Sequence, residues 1–166
     1  MKKLILADFH GTIVDANAAW LKAYCLLCPG KSEIIWQKIK AKEHRQEIAN
    51  FLGVDYNQVI ALYRENLTVR QDIIRLIKGL NLPIIIISNS SRERLMLDIE
   101  QVQNQHDLIF ERIYSGSDGK KPDAKYVENI VKENGYKAAY MIGNDLNEDF
   151  IKSPIITNVL VPIIYP

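Results

Sequence analysis

Five apolar runs of strand length punctuate the chain: Lys3 to Phe9, Pro83 to Ile87, Leu108 to Tyr114, Ala138 to Ile142 and Ile155 to Val161. Between them the spacing of apolar residues becomes that of a helix. Leu95, Ile99 and Val102 recur at helical intervals behind Ser90, and Glu93 stands three residues further on, where it would complete a capping box. Val127, Ile130 and Val131 form another such face, with Gly135 placed to end it. Strands alternating with helices of this length predict a parallel sheet covered on both faces, so the expected class is α/β with a doubly wound core.

The interval between the first and second runs is too long for one crossover helix. Ala19, Trp20, Ala23, Tyr24 and Leu27 make one apolar face, which Pro29-Gly30 interrupts, and Ser32 is placed to cap a helix carrying Ile35, Trp36 and Ile39. After a break at Gly53, Asp55 with Gln58 predicts the start of a helix bearing Val59, Leu62 and Tyr63. Thr68 with Gln71 does the same for Ile73, Ile74 and Ile77, which lead back to the sheet. The expected organisation is a core of residues 1–15 and 68–166 with an all-helical insertion, a cap, over residues 16–67.

A chain of 166 residues can bury one good core with a small inserted module. With 25% charged residues and a formal net charge of +1, no global field favours nucleic acid or an anionic membrane, and neither is expected as a partner. The longest apolar stretches are strand-sized. The opening Met1-Lys2-Lys3-Leu4-Ile5-Leu6 run meets Asp8 before reaching the length of a signal peptide, so a cytoplasmic location is expected. Cys25 and Cys28 lack a second pair or a nearby histidine to complete a metal site and read as small buried residues near a helix end. Nothing in the composition speaks to the oligomeric state.

Side chains just beyond the carboxyl ends of parallel strands share one crevice, whatever their separation in sequence. Here Asp8 follows the first run, Ser88 and Asn89 the second, Lys121 the loop beyond the third, and Asn144, Asp145 and Asp149 the fourth. Carboxylates, a cation and a hydroxyl gathered at one edge suit metal-assisted phosphoryl transfer.

Asp8-Phe9-His10-Gly11-Thr12-Ile13-Val14-Asp15 resembles the first signature of the haloacid dehalogenase superfamily of hydrolases, a nucleophilic Asp followed by a turn-forming Gly-Thr pair. Ser88 ending an isoleucine run, Lys121-Pro122-Asp123, and the loop Gly143 to Asp149 resemble the other three, in the right order. The resemblance implies a Rossmannoid core with a helical cap and a phosphatase that forms an aspartyl-phosphate on Asp8. It implies Mg²⁺ held by Asp8, the backbone carbonyl of His10 and Asp145, with Asp149 behind them and Asn144 as a neighbour. Ser88 and the Asn89 amide would hold phosphoryl oxygens while Lys121 balances charge. Pro122, as first helical residue, would set Lys121 beside a helix start. The implied substrate is a small phosphorylated metabolite.

His10 departs from the pattern, since phosphatases there usually carry a second Asp that protonates the leaving oxygen and later deprotonates water. Imidazole can do both. A further positive charge beside Lys121 and a metal ion is costly, so His10 is expected to serve better as base than as acid, favouring substrates with good leaving groups. Two other readings stay open. A haloacid dehalogenase also lacks the second Asp and needs no metal, although the acidic loop Asn144 to Asp149 speaks against it; a phosphate-binding or regulatory module with impaired turnover would keep the same residues. Lys38, Lys42 and Arg45 read as a solvated face, Trp20, Trp36, Tyr24 and Tyr63 as cap core, and His44 and His106 as isolated polar residues.

Overall fold

The structure, a computed structural model, describes residues 2–103 and 106–163. Its contacts divide the chain into two compact units, Met1–Val14 with Val69–Ile164, and Asp15–Thr68.

The second unit is helical: α1 (Ala16–Leu27), α2 (Ser32–Lys40), α3 (Arg45–Leu52) and α4 (Tyr56–Glu65). Asp15 and Asp55 cap α1 and α4 with their carboxylates, and Gly53 closes α3 in the left-handed conformation. Ser32 lies inside α2, and Lys31 holds the cap position without a side-chain bond, which corrects the expected Ser32 cap. Helix α1 packs on α2 and α4. Trp20 stacks on Tyr63 with ring centroids 4.1 Å apart, and both are buried, as expected of core aromatics. Cys25 and Cys28 are free and only half-buried, so they contribute less packing than expected. Partial burial, then the neighbouring Cys28, pushes the Cys25 thiol up, away from reactivity.

The first unit is a five-stranded parallel sheet of β1 (Lys3–Ala7), β2 (Ile84–Ile87), β3 (Arg112–Tyr114), β4 (Ala138–Gly143) and β5 (Ile156–Leu160), in the order β3-β2-β1-β4-β5. Helices α5 (Gln71–Leu80), α6 (Arg92–Gln103), α7 (Ala124–Glu133) and the single turn α8 (Leu146–Asp149) connect the strands. The α/β class expected from the alternation of runs is the one observed. Central β1 pairs with β2 and β4, and Ala7 stands opposite Ile86 and Ile142. Alternation sends Leu4, Leu6, Ile85, Ile87, Ala139 and Met141 into one core with Val127, Ile130 and Val131 of α7. Ile5, Ala7, Ile86 and Ile142 point the other way and are equally buried, which is why these strands read as unbroken apolar runs.

Three helix starts in this unit differ from expectation, as that of α2 does in the other. Helix α6 begins at Arg92, so Ser91 takes the cap position and the Ser90 hydroxyl is used elsewhere. Helix α5 begins at Gln71 behind Arg70, not behind Thr68. Helix α7 begins at Ala124, capped by the Asp123 carboxylate, so Pro122 precedes the helix, joined to Lys121 by a cis peptide bond.

Arg70 is 4% exposed, and its guanidinium donates to the carbonyls of Gly11 at 3.1 Å and Pro162 at 2.8 Å. It thereby ties the turn behind β1 to the segment behind β5. Arg70→Met keeps the bulk and removes the donors, and should cost about 2–4 kcal/mol in urea unfolding, since charge-assisted bonds to buried carbonyls are lost. An unchanged midpoint would show that the carbonyls find water instead.

Candidate active site

Sheet order reverses at β1, and the residues beyond the ends of β1, β2 and β4 meet there. Asp8, 8% exposed, is held by its own N–H donating to the Ile142 carbonyl at 2.9 Å. One carboxylate oxygen accepts from Lys121 Nζ at 2.7 Å, and the other lies 3.3 Å from the Thr12 hydroxyl. That hydroxyl is also 3.1 Å from Asn144 Oδ1, so it shares its proton between the first and fourth loops. Gly11 is required here twice over. Its φ is +86°, and a Cβ would fall 2.7 Å from the Asn144 amide nitrogen.

Lys121 Nζ also donates to Asp149 at 2.5 Å, which places one buried ammonium between two carboxylates. The other Asp149 oxygen accepts from the backbone N–H of Asn144 and of Asp145, both at 2.9 Å, and so shapes the fourth loop. Gly143 admits this approach, because a Cβ there would lie 2.2 Å from Asp149 Cβ. Desolvation, the largest effect on Lys121, favours its neutral form, but Asp8 and Asp149 together outweigh it and hold the ammonium charged above the ordinary lysine value. Burial, opposed by Lys121 and reinforced by Asp149, raises the Asp8 carboxyl.

Asn89 reaches Lys121 by its side chain. Its Oδ1 accepts from the Lys121 N–H at 2.8 Å and its Nδ2 donates to the Lys121 carbonyl at 3.2 Å, a two-point clamp on that loop. The same Nδ2 lies 3.1 Å from Glu148, while the Asp145 N–H that a capping box with Glu148 would use donates to Asp149 instead. Asp145, half-buried, caps α8 by accepting from Asn147 N–H at 2.8 Å. Ser88 is buried behind β2, and its hydroxyl accepts from Ser90 N–H at 3.2 Å.

His10 has a partner that the strand-end reasoning did not supply. Its Nε2 lies 2.9 Å from Asp98 Oδ2 on α6, and its Nδ1 lies 3.1 Å from Ser90 Oγ. A signal for Asp98 was present in the sequence, because it occupies an apolar-stripe position between Leu95, Ile99 and Val102. Asp8, Lys121, Asp149, Asn144 and Thr12 are thus linked in one bonded group, with Asn89 behind Lys121. Among the described residues, no three His, Cys, Asp or Glu side chains gather into a group that could hold a metal ion by themselves.

A buried carboxylate at the switch point of a parallel sheet, paired with a lysine from a later loop, is a candidate nucleophilic site on a Rossmannoid core. The sequence profile of the haloacid dehalogenase-like hydrolases matches residues 5–153, and the chain belongs to that family. Among solved structures, a hydrolase from Streptococcus pneumoniae aligns with 99% of this chain and 95% of its own, at TM-score 0.60 and 15% identity. An L-2-haloacid dehalogenase from Xanthobacter autotrophicus aligns over 89% of this chain and 72% of its own, at TM-score 0.59 and 16% identity. A candidate HAD-hydrolase from Bacillus subtilis, bound to magnesium, aligns over 89% and 80%, at TM-score 0.57 and 19% identity. At these identities the likeness is one of fold. No curated protein sequence matches the chain. Among the described residues, no helix is long and apolar enough to cross a membrane.

Proposed function

We propose that the protein is a Mg²⁺-dependent phosphomonoester hydrolase that acts on a small phosphorylated metabolite through an aspartyl-phosphate on Asp8. The observation that carries this reading is the buried Asp8–Lys121–Asp149 group, in which two carboxylates share one ammonium. With both acids ionised it holds one excess negative charge, which suits a hard cation and opposes an anionic haloacid. Mg²⁺ keeps several waters and needs only one or two carboxylates, so a three-acid cage is not required. When bound, it would be held by the Asp8 carboxylate, the His10 carbonyl and Asp145, and would supply neutralising charge between nucleophile and phosphoryl group. The helical unit Asp15–Thr68, inserted directly after the Asp8 turn, is the candidate cap that selects the substrate.

In the first half-reaction an Asp8 oxygen bonds to phosphorus and the leaving oxygen departs with its electron pair. Ser88 and the Asn89 N–H would hold phosphoryl oxygens, and Lys121 offsets their charge. In the second, water attacks phosphorus, the bond from Asp8 to phosphorus breaks with its electron pair returning to the carboxylate, and a proton passes to His10.

Phosphate release from an activated aryl phosphate, with and without Mg²⁺, tests this against Asp8→Asn as background. Metal-dependent release absent from the variant is the expected result. Chloride release from an L-2-chloro acid without phosphate release would overturn it in favour of dehalogenation. An alkyl phosphate cleaved as fast as the aryl one would contradict the role of His10 as base more than acid.

A further inference from the structure

The phosphatase reading leaves one buried acid without a task. Asp98 has no exposed surface, and its Oδ2 lies 2.9 Å from His10 Nε2. A carboxylate only accepts, so Nε2 carries the proton and donates it to Asp98. The lone pair is then on Nδ1, where the Ser90 hydroxyl donates across 3.1 Å. Ser90 follows Ser88 and Asn89 in the loop behind β2, so the basic nitrogen faces the loop assigned to the phosphoryl group. Arg94, one turn before Asp98, brings its Nε within 3.7 Å of the same Asp98 oxygen. A carboxylate set among Leu95, Ile99 and Val102 lowers stability unless it is well paired, and here it meets a ring from a different element of the fold.

We propose that Asp98 is a positioning residue that fixes the tautomer and the orientation of His10, leaving Nδ1 to take, through the Ser90 hydroxyl that donates to it, the proton of the water that hydrolyses the aspartyl-phosphate. The inference rests on the phosphatase reading. In that step the water oxygen bonds to phosphorus, and the bond from Asp8 to phosphorus breaks with its electron pair returning to the carboxylate. The water proton goes to Ser90 Oγ as the Ser90 hydroxyl proton passes to Nδ1, and the imidazolium so formed is stabilised by Asp98 through Nε2–H. The attack of Asp8 on substrate requires no base, so Asp98 matters to the second half-reaction and little to the first when the leaving group is an aryl oxide.

Rapid-mixing kinetics on the full chain with an aryl phosphate and Mg²⁺ separate the two halves. In Asp98→Asn the first release of phenolate should keep its wild-type rate and amount to about one equivalent per chain. The steady state behind it should fall by about 10-fold or more, up to the roughly 10⁴-fold cost of replacing by Asn the Asp that orients a general-base histidine. A steady state equal to wild type, or a first release slowed as much as the steady state, overturns the proposal. Nitrogen-15 spectra of the wild-type imidazoles provide a readout independent of turnover and of the folding of the variant. They should place the proton of neutral His10 on Nε2, and a proton on Nδ1 overturns the positioning role alone. A wild type that releases no phenolate with Mg²⁺ overturns the phosphatase reading, and this inference with it.

Discussion

Asp8→Asn should lower turnover by about 10⁴-fold or more, the scale seen when a nucleophile is removed, and should raise the melting temperature at neutral pH. On the proposed mechanism, loss of the reaction follows because an amide cannot form the phosphoenzyme. The gain in stability follows from charge. Burial raises the Asp8 carboxyl, Asp149 adds to the effect, and Lys121 opposes both without cancelling them. An asparagine would remove the excess negative charge while its oxygen could still accept from Lys121, leaving a neutral Lys121–Asp149 pair. Removing such a charge should stabilise the fold by roughly 1 kcal/mol or more, a shift of several degrees for a chain of this size.

The pH dependence carries a definite sign. A carboxyl raised in the folded state binds its proton more tightly there than in the unfolded chain. Its contribution is therefore fully present below the reference value of 3.8 and is lost as pH rises through the raised value. The variant should thus resemble the wild type in the acid and pull ahead above that window. Parallel melting curves across the whole range, or a variant less stable at neutral pH, would contradict the charge argument.

Lys121→Met should have the largest effect on stability, about 3–5 kcal/mol in denaturant unfolding, because it removes the cation from a buried group and leaves two carboxylates facing each other. Activity should disappear with it. The fourth loop should loosen too, since Asp149, drawn away from Asp8, would hold the Asn144 and Asp145 amides less firmly. Asp8→Asn should stabilise the Lys121→Met background by more than it stabilises the wild type, a non-additivity that a purely steric account of Lys121 does not produce. The two carboxylates also hold Lys121 above the usual lysine value, so its contribution persists below 10.5 and is lost only as pH rises through the raised value. Wild-type unfolding at pH 9 driven by this group would contradict the arrangement.

The strands were the most legible part of the molecule, and for a plain reason. Ile85 to Ile87 and Leu4 to Ala7 are buried on both faces of the sheet, so their apolar runs admit little else. Helix starts were less legible, because a polar side chain at a helix boundary can serve the backbone or a distant partner. Asp55 caps as its position suggests and Asp15, Asp123 and Asp145 cap as well, whereas Ser90 turns to His10 and Glu148 to Asn89. Capping contributes about 1 kcal/mol, which a bond to a buried partner readily outweighs.

By itself the sequence determined the α/β class, the helical stretch between the first two strands, and the family to which the chain belongs, because hydrophobic period and local motifs are properties of neighbouring residues. It also named Asp8, Ser88, Asn89, Lys121, Asp145 and Asp149 as strand-end groups. Only the tertiary structure decided which of them bond to one another. It set Asp149 rather than Asp145 against Lys121, gave Thr12 the bridge to Asn144, and used the Asn89 side chain to clamp Lys121. It alone brought Asp98, 88 residues away in sequence, to His10. Such pairings depend on where separate loops arrive in space, and no periodicity within either segment encodes the distance between them.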